Sequence, residues 1–308
     1  MAGKCVVIGG LIVDVLFDLD TWPKPNTTVW ASQVRFVAGG KGLNMAVGCH
    51  RLGMDVTLVG QVGDDFAGKI ILDTLAHEQL STTYVEVNEI SPTGVVGVLL
   101  KNTIPAFIGS TESGSRAISL AHVHKAVTDL QPNDYLVINQ EVEHRIIEHA
   151  LKTAKSRGVI TVFNPAPLGT QVQPVVWCHV DYLIPNLYEA QVITGINSDN
   201  PALLAQSLLD LGIAHAIITL GEKGIYYADR QLRLSIPAYD VQVVDTTGAS
   251  DAFIAGFVSA HAKKQPIDKV LRYAAVVAAL ACTQQSGAQA MPTLAQLDEH
   301  VALLRPTE

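Results

Sequence analysis

The run Asp245-Thr246-Thr247-Gly248-Ala249-Ser250-Asp251-Ala252-Phe253 puts small side chains where an apolar helical pattern begins, with an acid inside the first turn. The free N–H groups of a helix's first turn and its positive dipole end hold anions. The spacing therefore predicts a site for an anion such as a transferring phosphoryl group, with Gly248 and Ala249 leaving it room. Asp251 falls where the same field favours its ionised form, so it can accept a proton from an attacking hydroxyl. The same residues would equally make a plain helix start, with Thr247 or Ser250 as cap and Asp251 complementing the dipole. Read locally, the two alternatives stand level.

About two hundred residues upstream lies a second such run, Gly39-Gly40-Lys41-Gly42-Leu43-Asn44-Met45-Ala46, leading into a helical pattern. Paired glycines permit tight backbone geometry beside a ligand, and Lys41 and Asn44 carry donors suited to hydroxyl oxygens. The alternative is a glycine-rich turn with a solvated lysine. Two other motifs fail as nucleotide loops. The segment from Gly63 to Ile70 imitates a P-loop but ends in Ile70 where magnesium needs a hydroxyl, and Asp64 and Asp65 would face the phosphates. Gly9-Gly10 lacks the rest of a dinucleotide fingerprint.

These segments need a frame, and β-branched runs at 5–8, 56–59, 135–138, 159–163, 182–184 and 216–219 alternate with helical patterns at 42–52, 68–79, 143–156 and 203–211. That rhythm predicts an α/β fold: a doubly wound, mostly parallel sheet with helices on both faces, in a single domain over 1–308. Extended patterns at 15–37 and 93–108 break the rhythm and are expected to pair as a small β-sheet lid, or else as an edge hairpin or a contact between copies. The 48% hydrophobic and 16% charged residues suit a sheet covered on both faces. A net charge of −8 without basic clusters argues against a nucleic-acid partner. Four scattered cysteines without a C-x-x-C pair point to a reducing, cytoplasmic setting and no zinc site. No leader peptide or membrane span is visible, so a soluble protein acting on a small molecule is expected.

Taken in order, these segments resemble the ribokinase-like, or PfkB, family of carbohydrate kinases over nearly the whole chain. Residues 6–14 resemble the opening strand and substrate aspartate, 39–46 the GGKGxNxA loop, and 60–68 the G-x-V-G-x-D segment. Asn164-Pro165-Ala166-Pro167 resembles an N-P-A-P stretch of the ribokinase branch, with Glu141 upstream at its sugar-contacting glutamate. Pro185-Asn186-Leu187-Tyr188-Glu189 is similar to the N-x-x-E motif, and residues 219–224 to the T-x-G-x-x-G nucleotide loop.

The resemblance implies an ATP-dependent kinase acting on the hydroxymethyl group of a small sugar, such as a pentose, deoxypentose or related furanose. Asp251 would be the base, with Gly248, Ala249 and Ser250 in the anion hole. Asp14, Gly40, Lys41, Asn44 and Glu141 would hold the substrate. Asn186, Thr219, Gly221 and Gly224 would contact ATP, Glu189 would place Mg2+ through water, and Asp245 with the Thr247 carbonyl would bind a monovalent cation such as K+. The resemblance also implies a homodimer formed through the lid. A nucleoside kinase of the same fold, with Trp22, Trp30, Phe36 and Phe107 walling a base, is the nearest alternative; a catalytically weak sugar-binding protein is another.

Three positions depart from the family pattern. Ser250 replaces a glycine and is tolerated only in helical dihedrals. Ile12 stands where ribokinases resemble one another in carrying a sugar-contacting asparagine, which is expected to turn preference from ribose toward a deoxy sugar or a differently substituted furanose, unless Ile12 simply packs under the lid. Met291 stands where ribokinases supply a hydroxyl to the cation, which argues against potassium activation.

Overall fold

The computed structural model describes residues 3–101, 104–110, 117–168, 174–285 and 287–300. In chain order the strands and helices are β1 (Lys4–Ile8), β2 (Ile12–Asp18), β3 (Gln33–Gly39), α1 (Lys41–Arg51), β4 (Asp55–Gly63), α2 (Phe66–His77) and β5 (Tyr84–Asn88). There follow β6 (Gly94–Lys101), β7 (Ile104–Gly109), α3 (Leu120–Thr128), β8 (Tyr135–Asn139), α4 (His144–Ser156), β9 (Ile160–Asn164) and β10 (Tyr182–Leu183). The last are α5 (Leu187–Thr194), α6 (Pro201–Asp210), β11 (His215–Thr219), β12 (Ile225–Ala228), β13 (Arg233–Ile236), α7 (Ala249–Ala262), α8 (Ile267–Ala281) and α9 (Leu294–His300).

One sheet runs β13-β12-β11-β10-β9-β8-β1-β4-β5, parallel from β11 to β5 and antiparallel at β12 and β13. The chain leaves β1 toward β4 and β5 on one side and later returns to β8 on the other. The carboxyl ends of β1 and β8 therefore flank a topological switch point, where doubly wound sheets bind ligands. The β-branched interior of β1 is buried on both faces, as parallel strands under two helix layers must be. One face is covered by α1, α2, α7 and α8 through Met45, Ile71, Phe253 and Leu271. The other is covered by α3, α4 and α6 through Val123, Ile147, Leu151 and Leu204. Among the described residues no helix is long and apolar enough to cross a membrane.

The segments that broke the rhythm build a second sheet, β3-β2-β6-β7, in which β2 runs parallel to β6 and the other pairs are antiparallel. Its register puts Ile12, Asp14, Leu16, Val37, Val96 and Phe107 on one face, while Val13, Val15, Phe36 and Ile108 take the other. The base of this sheet is tied to the body by Asp65, read above as hostile to phosphate. Its carboxylate caps α2 through the Gly68 N–H (2.7 Å) and receives the Thr93 N–H (2.8 Å) next to β6. Burial alone would push this carboxyl up, but those N–H bonds hold it below the usual range.

At the far end of the body sheet, β8, β10 and β11 begin with Tyr135, Tyr182 and His215. His261, in the last turn of α7, bonds both Tyr135 Oη (2.7 Å) and Tyr182 Oη (2.9 Å), and His215 bonds Tyr227 Oη (2.8 Å). Burial, with His215 nearby, lowers the pKa of His261 against a small opposing pull from Asp181. The folded protein thus refuses a proton that the unfolded chain takes below about pH 6.5. The stability that His261 contributes is complete above that pH and is lost as pH falls below it. Glutamine can keep a donor and an acceptor without titrating. Relative to the parent chain, His261→Gln should therefore gain melting temperature between pH 7.5 and pH 5, measured by thermal unfolding at both. A constant difference would contradict this.

Candidate active site

The site is built where α1 and α7 meet the carboxyl ends of β1 and β8. Gly40 caps α1 at φ +88°, a conformation that side chains resist, and a Cβ there would lie 2.6 Å from the Gly10 carbonyl. Gly9 and Gly10, dismissed as a dinucleotide turn, form the floor. A Cβ on Gly9 would lie 2.3 Å from Asn139 Nδ2, and one on Gly10 would lie 2.5 Å from Glu141 Oε2. Glu141 Oε2 accepts the N–H groups of Lys41 (2.8 Å) and Gly10 (3.2 Å). The glutamate thereby fastens the start of α1 to the turn after β1 through one oxygen.

Gly248 begins α7 at φ +84°, so the chain turns sharply into the helix. Ser250 takes a helical conformation and is not among the residues with positive φ, so the serine is accommodated without backbone strain. Its Oγ lies 3.5 Å from Asp251 Oδ1, too far for a strong bond. The N–H of Ala249 closes a turn on the Thr246 carbonyl (3.2 Å), and among the described residues no backbone acceptor meets those of Gly248, Ser250 and Asp251. Within the Gly248 to Asp251 run, Ala249 is thus the one residue whose N–H has a backbone acceptor among the described residues.

Asp251 is 2% exposed. Lys41 Nζ donates to its Oδ1 (3.2 Å) and Asn44 Nδ2 to its Oδ2 (2.9 Å). The two glycine-rich segments, separated by some two hundred residues, thus meet at one carboxylate. Burial pulls the Lys41 ammonium down, but Asp251 and Glu141 outweigh it and lift its pKa above the ordinary value, so it stays charged. Burial, then Asp251 and Asp245, push Asp14 up to about 7. Burial likewise raises Glu141 to about 7, with Asp251 adding and Lys41 and the two N–H bonds opposing. Near neutral pH both groups can donate as well as accept, which suits sugar hydroxyls.

Asn186 and Glu189 form a reciprocal cap at the start of α5. Asn186 Oδ1 accepts the Glu189 N–H (2.8 Å), Glu189 Oε2 accepts the Asn186 N–H (2.8 Å), and Glu189 Oε1 accepts from Asn186 Nδ2 (2.9 Å). Both glutamate oxygens are therefore engaged. Burial raises this carboxyl, opposed by the Asn186 N–H and Lys41. Asn186 is bridged to Thr219 at the end of β11, and the loop beyond bends at Gly221 (φ +60°) and Gly224 (φ +84°). Nothing lies within 4 Å of where a Cβ on Gly221 would sit, so the loop borders open space there. Among the described residues no three His, Cys, Asp or Glu side chains converge on a metal position.

Sequence reasoning named the other residues as candidates but gave no place in the site to Gly9, Gly10 or Asn139. The signal that could have found the floor was the glycine pair directly after a buried strand.

Residues 2–294 match the profile of the pfkB family carbohydrate kinases. The chain belongs to this family. A deoxyribokinase of Salmonella typhi is 29% identical over 300 residues, covering 96% of this chain and 98% of that one. A ribokinase of Bacillus subtilis is 32% identical over 296 residues, covering 95% and 97%. The structure of an Arabidopsis thaliana ribokinase complexed with ribose and ATP superposes with a TM-score of 0.86 at 27% identity, covering 97% of this chain and 98% of that one. This family member is an ATP-dependent sugar kinase of the ribokinase fold. Its large, mostly parallel sheet with helices, and its smaller second sheet, are those the sequence led us to expect.

Proposed function

We propose that the chain transfers the γ-phosphoryl group of ATP to the hydroxymethyl oxygen of a pentofuranose that lacks one of the ring hydroxyls of ribose. The observation that carries the substrate reading is Ile12. It shares the inner face of β2 with Asp14 and is paired across the sheet with Gly39 and Gly94, so neither cross-strand partner brings a polar side chain beside it. An unpaired sugar hydroxyl against it costs about 1–3 kcal/mol, whereas a sugar without that hydroxyl loses nothing. The deoxyribokinase relative supports the same reading.

The sugar sits between Asp14, Glu141 and the Gly40–Asn44 turn, with its hydroxymethyl group toward Asp251. Asp251 accepts the hydroxyl proton as the oxygen attacks the γ-phosphorus; the new O–P bond forms while the bond to the β,γ-bridging oxygen breaks, and ADP leaves. The N–H groups of Gly248, Ser250 and Asp251 steady the charge on the transferring group. The open Gly221 turn fits the nucleotide. With both Glu189 oxygens spent on Asn186, Mg2+ fits here as an ion held mainly by phosphate and water, with Glu189 reaching it through water; it would neutralise phosphate charge. The fit for K+ is poor at one position. Met291 is buried, with its Cε 3.2 Å from a Cβ placed on Gly248, and its side chain offers a thioether where a hydroxyl is expected. The second sheet acts as a lid that excludes water.

A nucleoside substrate is less well supported. Phe36 faces away from Asp14 and packs edge-on against Phe66, which leaves Phe107 as the one strand aromatic of the supposed base wall on the inner face.

The test is Ile12→Asn. The ratio of kcat/KM for 2-deoxyribose over ribose should favour 2-deoxyribose in the parent chain and fall by about 5- to 150-fold in the variant. A parent chain that prefers ribose, with a ratio the substitution does not move, would contradict the substrate reading.

A further inference from the structure

Both oxygens of Asp251 are occupied, and by donors of different kinds. Lys41 reaches Oδ1 at 3.2 Å on a flexible four-carbon stem, while Asn44 holds Oδ2 at 2.9 Å on a stem with two torsions. Lys41 and Asn44 are three residues apart on α1 and so lie on one helix face. That face is pressed against α7: a Cβ on Gly48 would lie 2.7 Å from Ala255 Cβ, so the helices approach closely at a glycine one turn from Asn44. Asn44 is 5% exposed. The orientation of its amide is fixed by chemistry, because a carboxylate only accepts and Nδ2 must face it. The other end of the amide, Oδ1, is buried without a partner among the described residues. A buried amide with one end on the base and the other end unpaired is incompletely satisfied until something donates to it.

We infer that Asn44 is a positioning residue for the catalytic base: it anchors Asp251 Oδ2 so that Oδ1 is the oxygen that takes the proton, while its own Oδ1 awaits a substrate hydroxyl. Lys41, on its longer stem, shifts aside from Oδ1 as the hydroxyl arrives. One amide then links the seating of the sugar to the aim of the base. This inference rests on the kinase reading above and assigns Asn44 a task beyond holding the sugar.

The experiment is steady-state kinetics from pH 5.5 to 9 on the parent chain, Asn44→Ala and Asn44→Asp, with 2-deoxyribose and saturating ATP. Asn44→Ala should lower kcat by about 10- to 100-fold. Because the lost donor favoured the ionised carboxylate, the acid limb of its kcat profile should move to higher pH. Asn44→Asp sets a second carboxylate against Asp251 and should move that limb further. A raised KM with kcat and the acid limb unchanged would overturn the inference and leave Asn44 as a sugar ligand alone. Should Asn44→Ala not fold, Asn44→Ser carries the same expectations. Should the parent chain phosphorylate no sugar, the kinase reading fails separately. Carbon-13 NMR titration of the Asp251 carboxyl then decides the clamp: an upward shift in Asn44→Ala supports it and an unmoved midpoint overturns it.

Discussion

Asp251→Asn should lower kcat by about three orders of magnitude, within the range that a positioned general base supplies, and leave KM for ATP within a few-fold. The substitution keeps the shape of the side chain, and the Gly221 to Gly224 turn lies elsewhere on the sheet edge, beyond β11. What is lost is the lone pair that takes the proton. The carboxamide can still accept from Lys41 or from Asn44, but not from both, since one of its ends is now a donor facing donors that bonded at 3.2 and 2.9 Å. A variant within tenfold of the parent chain would place the base elsewhere. Stopped-flow measurement of a single turnover separates the chemical step from product release.

Gly42→Ala should be damaging although helix propensity favours alanine over glycine by about 1 kcal/mol. The added Cβ would lie 2.5 Å from the Gly9 carbonyl carbon, 2.7 Å from Gly9 Cα and 2.8 Å from the Gly10 oxygen. Those atoms are backbone at the end of β1, a central strand bonded to β4 and β8, and they cannot yield. The first turn of α1 must move instead, carrying Lys41 and Asn44 off Asp251. Overpacking of this kind costs about 1–3 kcal/mol, and a displacement near 1 Å costs about 100-fold in rate. Thermal unfolding and kcat should therefore both fall. Gly97→Ala is the control: a Cβ there meets nothing nearer than 3.8 Å, and neither quantity should move.

Much of the body was legible because β1, β4, β8, β9, β10 and β11 are short β-branched runs and α1, α2, α4 and α6 separate periodic patterns, whereas β5, β12, β13, α3, α5, α8 and α9 were not read. The smaller sheet was legible for the opposite reason, since residues 15–37 and 93–108 do not fit that rhythm. Strand order was not legible, because no local pattern says that β1 lies between β4 and β8. The bonds that make the site were also hidden: Lys41 and Asn44 are more than two hundred residues from Asp251, and nothing in either segment names the other. Asn186 and Glu189 show a further limit. Their spacing is that of a capping box, and the structure spends both side chains on that cap, so any contact with nucleotide or metal must use what remains. Ser250 could not be judged from sequence, because the question was its backbone angle; its place in α7 answers that.

The most direct measurement is phosphorus NMR of the product formed from ATP and 2-deoxyribose. One equivalent of ADP should form per sugar, with a new phosphomonoester whose phosphorus couples to two methylene protons, the mark of a phosphorylated hydroxymethyl group. ADP formed without dependence on sugar, or a phosphate carried on a ring carbon, would contradict this.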